Sequence, residues 1–379
     1  MAHVHRKEVS LDSRTRVHAA LKRQPVDRVP IWMWFHPDTS SRLGSALEIP
    51  VAHLADALGD DVRQAWVGNN YAMEGIVHEK EGETHTDAWG IQWVRQGPFN
   101  QIRRSPLAGA NEEEITRYQF PHGHIGDLLA PMESVAADPG DRFVGCDISP
   151  CLLEMIFRVR GMESALLDIA ASPDAARSLM HRAADFSIRL AQEACERFSL
   201  DWLWTGDDVG SQRAMMISPQ RWRELIRPHL AAIFSVGKSH GLWVAYHSCG
   251  SIRPIIPDLI EIGLDVLNPI QSNCPGMDPP ELKREFGEKI SFMGGVDTQQ
   301  LLPEGTPDEV FGATRTLLEA MTAGGGGYIL AASHAVPPET PLDNIFAMYD
   351  AAGVTRQEIF DRAASIRGRL ADAGRGEVW

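Results

Sequence analysis

Cysteine is scarce in this chain: five residues among 379, at positions 146, 151, 195, 249 and 274. So sparse and odd a set excludes a disulfide framework and leaves each thiol available as a ligand in a reducing compartment. No stretch approaches the ~18 uninterrupted apolar residues of a membrane helix. The start, from Met1 to Glu8, is polar and holds no apolar signal core, so a cytoplasmic protein without a membrane partner is expected. Basic runs are missing as well. Lys and Arg number 36 against 51 Asp and Glu, a net charge of −15, which repels phosphate backbones and makes nucleic acid an unfavourable partner. No repeat, linker or low-complexity segment stands out, and Gly324–Gly327 is short enough to read as a turn.

What the chain does have is 44% hydrophobic and 23% charged residues, an ordinary globular composition. Short apolar runs alternate with helical patterns along its whole length. The strand candidates are Val29–Trp34, Val62–Val67, Phe143–Ser149, Asp201–Asp207, Leu242–His247, Asp265–Ile270, Ile290–Asp297 and Tyr328–His334. Between most of them apolar residues recur at helical spacing, as in Pro173–Arg197, Pro219–His240 and Pro307–Ala323. Val77–Val94 alternates like a hairpin, and Ala108–Asp127 reads as a short helix and loop. The expectation is an α/β protein. Its architecture is a (β/α)8 TIM barrel forming a single domain over 1–379, with an N-terminal hairpin/helical cap at about 70–127. A doubly wound sheet is disfavoured, because no GxGxxG follows the first strand.

Chemistry in a parallel barrel collects at the C-terminal ends of the strands. Several candidates end in polar groups: Asp207 and Asp208, then His247 and Cys249, Asn268 and Gln271, Asp297, and His334. His247 and Cys249 sit at i and i+2, on one face of a strand. An imidazole and a thiolate there could share one Zn²⁺, with His334 as a third ligand and an open fourth position. On spacing alone, a packed cysteine beside a hydrogen-bonded histidine is the commoner outcome. Asp207 and Asp208 could bind metal or move a proton, or one could cap the following helix. Asp297 could bind substrate or orient its loop. Trp34 and Trp89 could line an apolar pocket, although tryptophans beside strands are more often core.

Taken together, six segments resemble the uroporphyrinogen decarboxylase superfamily. They are Pro25–Pro30, Asp87–Gly90, Gly206–Asp208, His247–Gly250, Gly294–Asp297, and Tyr328–His334 running on to Thr340–Asn344. The resemblance extends from about Ser13 to Ala351 and implies the same barrel. Its decarboxylase members carry arginines after the first strand to hold substrate carboxylates. Here that place holds Trp32-Met-Trp34-Phe-His36-Pro37, without arginine. Its methyltransferase members carry His-x-Cys at the fifth strand, matched by His247 and Cys249, and a further cysteine at the eighth. This chain has His334 there, and the decarboxylases carry a histidine in a similar segment.

The resemblance therefore implies a Zn²⁺ site of His247, Cys249 and His334, and a partner corrinoid protein carrying cobalamin. One thiolate with two neutral histidines leaves Zn²⁺ at +1, where two thiolates and one histidine leave it neutral. The more positive ion is the better Lewis acid. The expected function is demethylation of a methoxy compound, such as an aromatic methyl ether, with transfer of the methyl group to that cobalamin. Asp207, Asp208 and His334 are the catalytic candidates, and Trp34, Trp89, Gln271 and Asp297 the substrate-binding ones. The main alternative is a metal-free decarboxylase or lyase of a small carboxylate, while transfer from a corrinoid to a thiol or folate is nearer in chemistry. A catalytically silent barrel that binds a corrinoid or tetrapyrrole is an alternative of another class. The resemblance implies a monomer or homodimer, since members of the superfamily are often one or the other, and the small-molecule methyl donor is not named by the sequence.

Overall fold

The computed structural model describes residues 10–68, 80–97, 99–171 and 173–375. Ten strands occur among them: β1 Val62–Trp66, β2 Thr84–Thr86, β3 Gln92–Gln96, β4 Phe99–Arg104, β5 Phe143–Asp147, β6 Trp202–Gly206, β7 Trp243–His247, β8 Val266–Ile270, β9 Ser291–Gly294 and β10 Tyr328–Ile329. Helices fill the intervals from β5 onward, in the βα order expected. The described residues form two compact units, one of 64–138 and 144–278, the other of 10–63, 139–143 and 279–375.

In the first unit the strand order is β1-β5-β6-β7-β8. The strands β5 to β8 run parallel, with Asp147 level with Trp204, Trp204 with Ala245, and Ala245 with Val266. Every residue of β5, β6 and β8 is buried, as expected of parallel strands covered on both faces. Most polar side chains are thereby pushed to the strand ends, Thr205 in β6 and Asn268 in β8 being buried exceptions. Gly206, at the end of β6, is level with His247. A Cβ on Gly206 would come within 2.8 Å of Ser149 Cβ and 3.2 Å of His247 Cβ, so glycine is what lets these strand ends converge.

The same unit holds an antiparallel sheet ordered β2-β3-β4. The hairpin expected over Val77–Val94 corresponds to β2 and β3, with Thr84 paired to Val94; residues 77–79 lie outside the described residues. The third strand was not expected. Four of the six residues of β4 are exposed, so apolar alternation does not mark it. Asp87 organises the turn, accepting from the Trp89 and Ile91 amides and from Trp93 Nε1 at 2.8–2.9 Å. The helix expected within Ala108–Asp127 is Glu112–Arg117, started by an Asn111–Glu114 capping box.

In the second unit β9 and β10 are parallel, with Tyr328 level with Phe292. The expected first strand, Val29–Trp34, is not a strand. It makes only isolated bridges, Ile31 to Leu330 and, beyond it, Phe35 to Val336. Pro30 offers a carbonyl but no amide, and the Ile31 and Met33 amides donate to the carboxylates of Asp61 and Asp60 at 2.8 and 3.4 Å. Side chains take the bonds a strand would use. The expected run Tyr328–His334 is likewise regular only at its first two residues. After them, Leu330 N–H bonds to the Pro30 carbonyl and Ser333 N–H to the Val296 carbonyl, both at 2.8 Å. At the end of β9, positive φ at Gly294 and Gly295 stops the strand short of Asp297.

Buried charge also shapes this unit. Asp61, fully buried, bonds to Arg16 Nη1 at 2.6 Å and to Arg28 Nη1 at 2.7 Å, while Arg16 Nε reaches Asp27 at 2.7 Å. Asp27 and Arg28 belong to the Pro25–Pro30 segment noted above. Next to Asp61, Asp60 accepts from Tyr349 Oη at 2.7 Å, and burial pushes its carboxyl up to about 7.

Candidate metal-binding site

The run His247–Gly250 continues directly from β7, and the two neighbouring strand ends clamp it. His247 is level with Asn268 on β8, and Nδ1 lies 2.7 Å from Asn268 Oδ1. Ser248 donates its amide to the Asn268 carbonyl at 2.9 Å, and its hydroxyl accepts from Val209 N at 3.1 Å. Cys249 donates its amide to Asp208 Oδ1 at 2.8 Å, and Gly250 donates its amide to Gln271 Oε1 at 2.7 Å. Gly250 has φ +81°, and a Cβ there would sit 2.6 Å from the Gly210 carbonyl carbon. Only glycine fits.

The clamped run holds His247 Nε2 3.5 Å from Cys249 Sγ and 3.6 Å from Asp208 Oδ1. Burial and the charges of Asp208 and Glu154 push the Cys249 thiol well up. A thiol in such surroundings becomes a thiolate when a cation arrives, since only positive charge offsets both penalties. Imidazole nitrogen and sulfur are donors that Zn²⁺ takes, and the carboxylate beside them adds negative charge. The chemistry of this donor set fits a zinc ion.

Each remaining candidate has a definite place. Asp207 is fully buried and accepts from the amides of Leu153 and Glu154 at 2.7 Å and of Leu152 at 3.4 Å. It caps Leu153–Arg160, the helix after β5, and not the helix following it in sequence. Burial pushes its carboxyl up to about 7, against the three amides that favour the anion. Gln271 is occupied with Gly250. Asp297 accepts from the amides of Gln299, Gln300 and Leu301 at 3.0–3.2 Å, orienting its own loop. Trp89 is buried against Phe186, ring centroids 5.5 Å apart. In the other unit Trp34 packs on His334, ring centroids 4.9 Å apart.

Two residues near the site carry roles that sequence spacing did not reveal. Asn268 reads in sequence as a polar strand end; its level pairing with His247 is the signal, and pairing is invisible without register. Glu154 lies one residue into the helix that Asp207 caps and pairs with Arg158 at 2.5 Å. Nothing local distinguishes it from any acid in a first helical turn.

Comparison with known proteins matches residues 145–353 to the model of the uroporphyrinogen decarboxylase (URO-D) family. A methylcobamide:CoM methyltransferase MtbA of Methanosarcina mazei is 22% identical over 348 residues, covering 89% of this chain and 97% of that protein. A methylcobamide:CoM methyltransferase MtaA of Methanosarcina barkeri is 26% identical over 363 residues, covering 88% and 96%. Among solved structures, a methyltransferase from Methanosarcina mazei superposes with TM-score 0.64 at 19% identity, covering 91% of this chain and 99% of that one. That likeness bears out the α/β, TIM-barrel-like fold expected from the alternation. With more than half its length matched, the chain belongs to the uroporphyrinogen decarboxylase family, and its relatives there include the methylcobamide:CoM methyltransferases of Methanosarcina.

Proposed function

We propose that this protein is a zinc-dependent methyltransferase that works with a separate corrinoid protein, taking a methyl group from a methoxy compound. The observation that carries the reading is the pairing of His247 Nε2 with Cys249 Sγ at 3.5 Å on a run held by Asp208, Asn268 and Gln271. His247, Cys249 and His334 hold the ion in this proposal, each offering one ligand atom. Zn²⁺, when bound, supplies Lewis acidity toward an ether oxygen, and cobalamin on the partner accepts the methyl group.

The chain's own residues divide the remaining work. Asp207 is committed to the helix at Leu153, so relaying a proton from solvent to the departing oxygen falls to the Asp208 carboxylate, whose side chain is 35% exposed beside His247. Trp34, packed on His334, gives the apolar surface that suits an aromatic ether. Trp89 takes no part, because its ring is spent on Phe186.

A second reading, transfer from a methylated corrinoid to a thiol, is favoured by the names of the MtbA and MtaA relatives. His334 in place of a second cysteine favours the first. The test begins with metal analysis of wild type and Cys249→Ala. About one zinc per chain, lost in the variant, supports both readings. A folded wild type that takes up no zinc sinks both and leaves metal-free chemistry. Paired assays then separate them: methyl ethers with reduced corrinoid protein for the first, methylcobalamin with a thiol for the second.

A further inference from the structure

We infer that Trp34 is a positioning residue for His334: its ring, together with a bulge anchored on its carbonyl, sets where that imidazole stands. The inference rests on the zinc site proposed above, in which His334 is a ligand. The segments carrying the two residues touch at two isolated parallel bridges, Ile31 to Leu330 and Phe35 to Val336. Between these bridges one segment advances by four residues and the other by six. The two extra residues must leave the line, as in a β-bulge, a device that re-aims a side chain.

The bulge is held at both ends. Ser333 donates its amide to the Val296 carbonyl at 2.8 Å, and its hydroxyl accepts from the Thr298 amide at 3.3 Å. Val336 donates its amide to the Trp34 carbonyl at 2.8 Å, and the His36 amide donates to the Val336 carbonyl at 3.0 Å. His334 stands between these fixed points with an exposed side chain. Backbone bonds place its Cα but leave χ1 and χ2 to be set by what the ring touches. The Trp34 ring meets it with centroids 4.9 Å apart and planes 39° apart. One residue therefore supplies both the carbonyl that ends the bulge and a surface against which the imidazole rests. A ligand side chain confined in this way has less freedom to lose when an ion binds.

The inference can be read without activity. In metal-free protein, His334→Gln identifies the His334 ring protons among those of 14 histidines. The Trp34 ring current should move them upfield from the positions of a solvent-exposed imidazole, and ordinary positions in wild type overturn the inference. Trp34→Leu should abolish that displacement. Zinc affinity by chelator competition gives the second readout. Trp34→Leu should weaken binding by about 3- to 10-fold, while Trp34→Phe, which keeps a ring, should stay near wild type. Equal affinities for wild type and Trp34→Leu overturn the inference. A wild type that takes up no zinc overturns the proposed function, whereas the proton spectrum still decides whether Trp34 holds His334.

Discussion

Asp208 Oδ1 accepts the backbone amide of Cys249 at 2.8 Å while standing 3.6 Å from His247 Nε2. One carboxylate thus fixes where the thiol stands and adds charge beside both donors. Asp208→Asn keeps an oxygen for the amide but removes the carboxylate charge and with it the proposed proton relay. Zinc content should stay near one per chain while methyl transfer falls by about 10²–10⁴-fold. Metal analysis beside steady-state kinetics checks this, and loss of zinc in equal measure would assign Asp208 to the metal alone.

Gly250→Ala is expected to be far more damaging than an ordinary loop substitution. Its φ of +81° strains any side chain, and the new Cβ would press on the Gly210 backbone at 2.6 Å. A loss of roughly 1–3 kcal/mol in stability should accompany weaker zinc binding, because Cys249 is the adjacent residue. Thermal melts and chelator competition measure the two effects.

Asp60 makes stability fall with pH. Burial raises its carboxyl from the ordinary 3.8 to about 7. Between those values the folded chain binds the proton more tightly than the unfolded chain does, so stability is lost as pH rises through the window. Asp60→Asn keeps an acceptor for Tyr349 Oη and has no charge to bury. Denaturant titrations at about pH 4 and pH 8 should show a smaller decline in the variant; an unchanged decline would point to other groups.

Arg16 spans two carboxylates, Asp27 and the fully buried Asp61. Arg16→Leu leaves Asp61 with Arg28 as its remaining charged partner among these contacts. A cost of about 3 kcal/mol is expected, at the low end for a broken buried pair. Simultaneous replacement of Asp61 by Asn should recover part of it, which a double-mutant cycle would measure.

The strand-end cluster was legible because β5, β6 and β8 are buried at every residue and mostly apolar, so Asp207, Asp208 and Gln271 stand out just beyond their ends. His247 and Cys249 could be paired from strand geometry alone. Longer-range relationships were not. Asp207 caps a helix whose first residue lies 54 positions earlier, a partner that the residues around Asp207 do not encode. Asn268 meets His247 through strand register, which no single segment encodes. The missing first strand follows from Asp60 and Asp61 reaching back to the amides of Ile31 and Met33. In sequence, Trp89 reads as a pocket wall or, more often for a tryptophan beside a strand, as core, and its burial against Phe186 fits the latter.

The four residues from His247 to Gly250 have each backbone amide or side chain tied to a neighbouring strand end by the protein's own groups. Where a metal must assemble its own ligands, as in small zinc domains, binding and folding are one event. Here hydrogen bonds order these residues in advance, so the zinc ion proposed above would add stability by mass action to a run that already stands. On that proposal the protein would release its ion to a chelator and take it up again without passing through the unfolded state.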